Sequence, residues 1–159
     1  MTNDDYINKF NKYFDSEMDI NAPITRAEIA SVFTELFAKE YVQDSVLFTD
    51  IRERWYGEYI DSVVKKDIMR GYPDGTFRPY DVITRAEISA VIARTAEYEN
   101  ETALIFPDIY SGHWATEYIS KVVANGIFKG DTGGTFRPND GITRHEVVIV
   151  INRLKGFDV

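Results

Sequence analysis

The sequence reads Ile83-Thr84-Arg85-Ala86-Glu87-Ile88 near its middle and carries a copy of this hexapeptide on either side. The first copy, Ile24–Ile29, is identical, and the third, Ile142–Val147, has histidine in place of alanine and valine in place of the last isoleucine. The first copy precedes the second by the same interval that separates the second from the third. A fixed period of this size is typical of stacked units that share one core. The chain is therefore predicted to be a three-fold repeat.

The length and composition indicate that the three units fold together. A unit of about 50 residues buries too little apolar surface to be comfortably stable alone. The 159-residue chain is 44% hydrophobic, with 10 Tyr, 10 Phe and 2 Trp, as expected of a packed globule. We expect one compact domain over residues 1–159, with a degenerate first repeat at 1–43, a second repeat at 44–101 and a third at 102–159.

Each unit is predicted to contain two amphipathic helices. In the second unit, Tyr59, Ile60, Val63 and Val64 follow Trp55 with helical spacing. The second helix of each unit begins at the hexapeptide and continues as one apolar stripe. The stripes are Ile29, Val32, Phe33, Leu36 and Phe37 in the first unit, Ile88, Val91 and Ile92 in the second, and Val147, Val150, Ile151 and Leu154 in the third.

A glycine-rich loop is predicted to join the two helices of the later units. The stretch Gly71–Gly75 places Pro and Gly where a tight turn needs them, so we expect a short hairpin-like loop. In the third unit Asp131–Gly134 replaces the Tyr-Pro-Asp-Gly of the second. The first unit lacks this loop, but its Tyr6 and Ile7 match the start of the first helix elsewhere. We therefore expect the first unit to keep both helices.

Most of the hexapeptide is explained by helix capping. A threonine before an apolar stripe, with a glutamate three residues later, is the signature of a reciprocal capping box. The isoleucine before each cap and the apolar residue at the fourth helical position complete a hydrophobic staple. The predicted capping pairs are Thr25 with Glu28, Thr84 with Glu87, and Thr143 with Glu146.

The arginine of the hexapeptide is not explained by capping, because a cation at the positive end of a helix is unfavourable by about 0.3 to 1 kcal/mol. Two explanations stay open. An outside anion would meet free helix N–H groups and a planar guanidinium together. Alternatively, the arginine pairs with an acidic neighbour in the adjacent unit. The residues concerned are Arg26, Arg85 and Arg144, with Asp50, Asp74 and Asp108 as the candidate partners.

The first explanation makes a definite prediction. If the arginine binds an anion from outside the protein, Arg85→Ala weakens ligand binding and leaves the melting temperature nearly unchanged. Three arginines already neutralised inside the protein and closed off from water would defeat this argument for an outside anion.

Composition excludes several functional classes. The net charge of −8 and the lack of a basic cluster argue against general nucleic-acid binding. No stretch is long enough to span a bilayer. Asp4 and Asp5 stand where a signal peptide would be basic, so either the protein is not exported or its signal lies outside this sequence. The absence of cysteine excludes disulfides and thiolate metal sites.

Catalytic and metal motifs are not visible in the sequence, so we expect a non-enzyme without a cofactor. His113 and His145 lack the spacing of zinc ligands. Asp131, Asn139 and Asp140 lack the alternating oxygen pattern of an EF-hand. No nucleophile and base pair or phosphate-binding loop is recognisable.

Two pairs of residues have both a functional and a structural interpretation. Trp55 and Trp114 would suit stacking on sugar rings, but a Trp at the start of an apolar helix stripe is more often core, and we expect core for both. Arg78 and Arg137 would either extend a basic groove rim or brace the loop, and we expect them to brace it.

The chain resembles the S-layer homology domain family in three features. These are the Phe-x-Asp-Ile start with a following Trp, the loop Gly71–Pro79, and the Ile-Thr-Arg-Ala-Glu helix start. The second unit matches throughout, the third matches well, and the first matches only in its second helix. His145, the altered third loop and the missing first loop are departures from the family pattern.

The resemblance implies a mainly α-helical, pseudo-three-fold bundle of helix-loop-helix repeats with grooves between them. Domains of this family anchor proteins to the bacterial cell surface by binding secondary cell-wall polysaccharide, often through a pyruvylated amino sugar. Protein–protein assembly through the same grooves, by self-association or with a surface-protein cargo, is the alternative. The residues then expected to bind ligand are Thr25, Arg26, Glu28, Thr84, Arg85, Glu87, Thr143, Arg144, Glu146, Asp74, Gly75, Trp55 and Trp114.

Overall fold

A computed structural model describes residues 19–38, 48–51, 54–98 and 106–156. Within these ranges the chain forms five α-helices and no strand, which confirms the predicted mainly helical fold. The first helix predicted for the first unit lies outside the described residues. The helices are α1 (Arg26–Phe33), α2 (Arg54–Lys65), α3 (Arg85–Ala93), α4 (Thr116–Ala124) and α5 (Arg144–Leu154), and a π-helical segment, Thr34–Ala38, continues α1.

Packing between helices crosses from one unit to the next. Helices α1, α3 and α5 begin at the three hexapeptides, whereas α2 and α4 are the first helices of the second and third units. Helix α1 packs on α2, and α3 packs on α4. The Thr34 hydroxyl at the end of α1 also donates to the Tyr59 carbonyl of α2 over 2.9 Å. The first and second units therefore each cover their apolar stripe with the unit that follows.

A closed triangle of backbone hydrogen bonds lies at the centre of the molecule. The Ile24 N–H donates to the Ile142 carbonyl (2.9 Å), the Ile142 N–H to the Ile83 carbonyl (3.2 Å), and the Ile83 N–H to the Ile24 carbonyl (3.1 Å). All three isoleucine side chains are fully buried. The residues that precede the three caps thus join the three units in a ring, which gives the bundle its pseudo-three-fold character.

The predicted apolar stripes form the core. Ile60 and Val63 of α2 are wholly buried, and Tyr59 and Val64 pack against them. Helix α1 is buried along its whole length, because neighbours surround it on every side. In α5, Val147, Val150 and Ile151 are buried and Leu154 packs against the core, while in α3 the stripe Ile88, Val91 and Ile92 is buried.

The loops of the second and third units have the same construction. Pro73 follows Tyr72 in a tight turn, in which the Gly75 N–H donates to the Tyr72 carbonyl over 3.0 Å and Gly75 has a φ of +79°. In the third unit the Gly134 N–H donates to the Asp131 carbonyl over 3.1 Å. The predicted hairpin-like turn is confirmed, and the changed residues of the third loop preserve its shape.

Carboxylates hold the base of each loop. The Asp50 carboxylate accepts from the N–H groups of Phe77 (2.8 Å) and Arg78 (2.7 Å), and Arg78 has a φ of +58°. The Asp108 carboxylate accepts from the N–H groups of Phe136 (2.9 Å) and Arg137 (2.7 Å). These bonds fix a left-handed backbone residue in each loop and place a fully buried phenylalanine beneath it.

We expect Gly71→Ala to destabilise the fold by about 1 to 3 kcal/mol. A Cβ at residue 71 would overlap the Phe48 ring and lie 2.8 Å from the Thr76 carbonyl oxygen. Thermal unfolding of the variant measures the loss. Gly57→Ala in α2 is the matched control, because its Cβ would meet nothing closer than 3.8 Å and alanine favours a helix. Equal melting temperatures for the two variants would contradict the packing described around Gly71.

Among the described residues, no helix combines the length and the apolar character needed to cross a bilayer.

Candidate functional site

All three hexapeptides form the predicted capping boxes. The side-chain hydroxyl of each threonine accepts from the backbone N–H of the glutamate three residues on, at 3.2 to 3.3 Å. In return, each glutamate carboxylate accepts from the threonine N–H, at 2.7 to 2.9 Å. The predicted capping role of Thr25, Thr84 and Thr143 with Glu28, Glu87 and Glu146 is confirmed.

The next two N–H groups of each helix are also occupied, by carbonyl groups of the adjacent unit. At α1, Arg26 N donates to the Asp81 carbonyl and Ala27 N to the Pro79 carbonyl, both at 2.9 Å. The same pattern recurs at α3 and α5 with carbonyls of the third and first units. The expectation of free helix N–H groups awaiting an outside anion is therefore wrong.

The hexapeptide arginines brace one unit against the next. Arg85 Nε donates to the Phe136 carbonyl (2.7 Å), Nη2 to the Lys129 carbonyl (3.2 Å), and Nη1 to Glu146 Oε1 (3.4 Å). Arg26 makes the corresponding bonds one unit earlier, with Glu87 as its carboxylate partner at 3.5 Å. Both side chains are 6% exposed.

The third arginine closes the ring of braces. Arg144 Nη2 donates to Glu28 Oε1 over 2.6 Å, and Nη1 donates to the Asp19 carbonyl over 3.3 Å. Each hexapeptide arginine therefore pairs with the capping glutamate of the following unit. The predicted alternative of an acidic partner in the adjacent unit is confirmed, and the argument for an outside anion from these arginines alone fails.

The partners proposed for these arginines were wrong. Asp50 and Asp108 bind loop N–H groups, as described above. Asp74 pairs with Arg78 at 2.9 Å. The sequence did not mark the capping glutamates as the partners, because each already has a local role in its capping box. The second carboxylate oxygen of each glutamate nevertheless reaches the arginine of another unit. The two roles are compatible because one oxygen, Oε2, takes the threonine N–H and the other, Oε1, takes the guanidinium.

Burial acts on the braces as expected for charges held away from water. It lowers the pKa of the Arg85 guanidinium, against the opposing attraction of Glu146. Beside Arg26, burial and a 2.6 Å hydrogen bond from the hydroxyl to Glu87 raise the pKa of Tyr72 to about 12. Tyr72 is thus a neutral donor at neutral pH.

Two grooves between units are lined by these braces. Groove A has a volume of about 270 Å³ and combines residues of all three units. Its floor includes Met69, Ala90 and Val91. Its charged and aromatic lining consists of Arg26, Arg70, Tyr72, Glu87, Arg94 and Trp114.

Groove B is the counterpart of groove A, one repeat period further along the chain. Its volume is about 410 Å³. Phe128, Ile149 and Val150 take the places of Met69, Ala90 and Val91. Its charged lining consists of Arg85, Lys129, Asp131, Arg137, Glu146 and Arg153.

Both grooves are rich in cations, although the chain has a net charge of −8. Arginine and lysine outnumber carboxylates by three to one in groove A and by four to two in groove B. Such local excess favours a negatively charged occupant. The apolar floor and the Trp114 wall suit a ligand that also has an apolar face.

A comparison with known protein families identifies the domain family of this chain. The family model described as S-layer homology domain matches residues 47–88 and 105–148, which together make up more than half of the chain. The chain belongs to the S-layer homology domain family. The matched segments include the second and third hexapeptides and both glycine-rich loops.

Several curated proteins are similar to this S-layer homology chain. The Cellulosome-anchoring protein of Acetivibrio thermocellus is 38% identical over 141 residues, which cover 82% of this chain and 31% of that protein. Cell surface glycoprotein 1 of the same organism is 35% identical over 146 residues, covering 82% of this chain and 6% of that protein. The Surface-layer 125 kDa protein of Lysinibacillus sphaericus is 29% identical over 144 residues, covering 91% and 11%. The chain spans less than a third of each relative.

The prediction that both tryptophans belong to the core is wrong. Trp55 is 52% exposed and Trp114 is 57% exposed. Tyr56, the neighbour of Trp55, takes the buried position at the start of α2 instead and is 1% exposed. Trp114 lines groove A, whereas Trp55 lines neither groove A nor groove B.

The loop residues divide between bracing and groove lining. Arg78 stacks over the Tyr72 ring at 3.9 Å and pairs with Asp74, which confirms the predicted bracing. Hydrogen bonds from Thr76 and Arg78 lower the pKa of Asp74 to about 2. Asp74 and Gly75 stand at the loop tip and do not line groove A. Arg137 braces its loop through Asp131 at 3.3 Å and also lines groove B.

The sequence-based predictions did not include the groove cations Arg94 and Arg153, nor Arg70 and Lys129. Arg94 and Arg153 lie at the C-terminal ends of α3 and α5, whereas the repeated hexapeptide marks the starts of these helices. Their separation equals the repeat period, and this signal was available in the sequence. In the part of the chain that the structure describes, no group of three or more His, Asp or Glu side chains is placed to hold a metal ion.

We expect the stabilising effect of Asp108 to depend on pH. Burial opposes its ionisation, but N–H bonds from Phe136 and Arg137 prevail and lower its pKa below the usual 3.8. A depressed pKa in the folded state stabilises the fold above pH 3.8, and this contribution is lost as the pH falls through the folded-state pKa. Asp108→Asn should lower the melting temperature at pH 7, and the gap from the unsubstituted protein should narrow below about pH 4.

Melting curves from pH 7 down to pH 2 test this expectation. Asp140→Asn is the matched control, because the Asp140 carboxylate is 58% exposed and makes a long ion pair with Arg137, at 3.5 Å. A gap for Asp108→Asn that is unchanged across this range would show that the carboxylate does not hold the loop by its charge.

Proposed function

We propose that this S-layer homology domain is a non-catalytic cell-wall anchoring module that binds secondary cell-wall polysaccharide in its inter-repeat grooves. Family membership and the names of the relatives support this role. One relative is a cellulosome-anchoring protein and another is a surface-layer protein. In this role the domain would hold an attached protein at the bacterial cell surface.

The observation that carries the proposal is the composition of groove A. Although the protein is acidic, three arginines, one neutral tyrosine and an exposed tryptophan lie around a single cleft between repeats. An aromatic face suits the apolar side of a pyranose ring, and guanidinium groups suit a carboxylate. A pyruvylated amino sugar combines these two features, so we assign the ligand to this chemical class.

In the proposed function, the hexapeptide residues shape the grooves. The pairs Arg26–Glu87 and Arg85–Glu146 line grooves A and B while joining the units on either side. Thr84 and Thr143 hold those glutamates through the capping boxes. At the junction of the third and first units, Thr25, Glu28 and Arg144 repeat the arrangement. Trp114 forms the aromatic wall of groove A.

Calorimetric titration with purified wall polysaccharide tests the proposal. One sample retains its pyruvyl groups, and a matched sample has lost them by mild acid hydrolysis. We expect saturable binding of the pyruvylated polysaccharide and at least about tenfold weaker binding of the other, as loss of a charged hydrogen bond predicts. No binding of either polysaccharide would contradict the proposed function.

Protein–protein assembly through the same grooves is the second candidate. The apolar floor of groove A, formed by Met69, Ala90 and Val91, would also accept an apolar side chain of a neighbouring subunit or an attached cargo. Sedimentation velocity over a concentration series without glycan separates the two candidates. A sedimentation coefficient that rises with concentration favours assembly, and a constant value favours polysaccharide binding by a monomer.

A further inference from the structure

Most groove cations are already paired within the protein. In groove A, Arg26 is paired with Glu87, and Arg70 makes two bonds of 2.6 and 2.7 Å with Asp67. A paired guanidinium has little left to offer a ligand, because binding would first break its internal bonds. Among the described residues lining groove A, Arg94 is the cation without a carboxylate partner.

The hydrogen-bond donors of the Arg94 guanidinium are also poorly satisfied in the folded protein. Its Nε–H is buried and has no hydrogen-bond partner. Its Nη2 makes one long bond, of 3.4 Å, to the Tyr118 hydroxyl, and its guanidinium lies 5.0 Å from the centre of the Tyr118 ring. A buried donor left unpaired is costly, because it has given up its bonds to water without replacement. An acceptor that draws this side chain into the groove would recover that cost.

Groove B reproduces this situation one repeat further on. Arg85 is paired with Glu146, and Arg137 with Asp131 and Asp140. Arg153, at the position equivalent to Arg94, has no ion pair among the described residues and lines the groove. Lys129 is likewise without a carboxylate partner in that part of the chain, but its equivalent in groove A is the paired Arg70. Arg94 and Arg153 occupy equivalent positions of the repeat. Among the described residues, this is the only position that gives both grooves a cation without a carboxylate partner.

The first unit differs at this position. The residue one repeat period before Arg94 is Glu35, which carries the opposite charge. The junction between the third and first units still has its brace, from Arg144 to Glu28. A carboxylate at the position of the uncommitted arginine would repel a ligand carboxylate rather than bind it. The three junctions therefore share the brace, but the first unit has a carboxylate at the position where the other two have the uncommitted arginine.

We propose that Arg94 and Arg153, and not the hexapeptide arginines, bind the ligand carboxylate, and that the chain consequently has two anion-binding grooves instead of three. This inference rests on the proposed polysaccharide-binding function. The planar guanidinium binds a carboxylate through two parallel N–H bonds, using the Nε–H that is unpaired in Arg94. Trp114 lines the same groove from the third unit and provides the aromatic contact for the sugar ring.

Calorimetry with a pyruvylated amino-sugar disaccharide tests the inference. The unsubstituted protein should bind two molecules per chain. Arg94→Gln and Arg153→Gln should each remove one site or weaken it at least about tenfold, and the double variant should retain neither. Lys121→Gln is the control, because it removes one positive charge from α4, from a side chain that pairs with Glu117 and lines neither groove A nor groove B. It should leave the affinity within about threefold.

The outcomes separate the inference from the proposed function. If the unsubstituted protein binds the disaccharide and the double variant binds it equally well, the inference is overturned and polysaccharide binding stands. Three equal sites on the unsubstituted protein would also overturn it. If the unsubstituted protein binds neither the disaccharide nor the polysaccharide, the proposed function fails and the inference fails with it.

A second measurement uses the unsubstituted protein, so its result does not depend on whether the variants fold. The Nε–H resonances of Arg94 and Arg153, assigned by 15N NMR, should shift on addition of the pyruvylated disaccharide and stay in place with the same disaccharide stripped of pyruvate. Shifts confined to Arg26 and Arg85 would assign the carboxylate to the hexapeptide arginines and overturn the inference.

Discussion

Replacing Arg85 with alanine is expected to lower the free energy of unfolding by about 3 to 5 kcal/mol, as for loss of one partner of a buried ion pair. The side chain is 6% exposed and donates to two backbone carbonyls and one carboxylate of the third unit. Alanine removes the donor of all three bonds, and each buried acceptor that is left unpaired costs about 1 to 3 kcal/mol. Chemical denaturation measures the loss. This expectation reverses the one drawn from sequence, which had the melting temperature nearly unchanged.

Two further substitutions define why Arg85 matters. Arg85→Lys keeps the charge but has one nitrogen to replace three, so it should recover only part of the loss. Arg70→Ala is the control, since Arg70 is 59% exposed and pairs with the exposed Asp67. It should change stability by less than about 0.5 kcal/mol. An Arg85→Ala protein as stable as Arg70→Ala would refute the bracing role.

Removal of the third unit, residues 102–159, is expected to abolish cooperative folding of the remainder. The central triangle loses Ile142, which both accepts from Ile24 and donates to Ile83. The N–H groups of Arg85 and Ala86 lose their carbonyl partners in the third unit. Two units would then expose apolar surface that the third covers, and a small core has little stability to spare. Repeats that depend on neighbours in this way do not fold alone.

Thermal unfolding followed by near-ultraviolet circular dichroism measures this effect, with the full 159-residue chain as the reference. The reference should show one sigmoidal transition, and the truncated chain should show a shallow drift without one. A sharp transition in the truncated chain, with dispersed amide resonances, would show that two units form a complete core and that the closed triangle is dispensable.

Local features of the structure were predictable from the sequence because they depend on residues close together in the chain. The capping boxes follow from Thr84 and Glu87 three residues apart, and the turn follows from Pro73 and Gly75. The helical stripes follow from periodicity, and the repeat itself indicates a shared core. These predictions needed no knowledge of what packs against what.

Contacts between units were not predictable in the same way. The partner of Arg85 is Glu146, which is 61 residues away in sequence, and nothing local marks it as such. Trp55 was assigned to the core by its place at the head of a stripe, yet Tyr56 beside it takes the buried position. A shift of one residue around a helix turns a side chain by about 100°. Burial at a helix start therefore depends on the neighbouring unit.

The function of the arginines illustrates the same limit. The repeated cation at a helix start was correctly recognised as needing a partner, but the sequence left an internal and an external partner open. The structure provides the internal one, and the arginine that we propose for an outside anion is a different one. Arg94 has no conspicuous motif, and only its unsatisfied Nε–H in the folded chain distinguishes it.

Binding of an anionic wall glycan in the inter-repeat grooves can be followed residue by residue in an NMR titration with the pyruvylated disaccharide. On saturation, we expect the Trp114 indole N–H and the Arg94 Nε–H both to shift, and the amide of Gly71, which lines the same groove, to shift as well. Resonances at groove A that stay in place while the disaccharide binds elsewhere on the protein, or does not bind at all, would show that groove A is not the binding site.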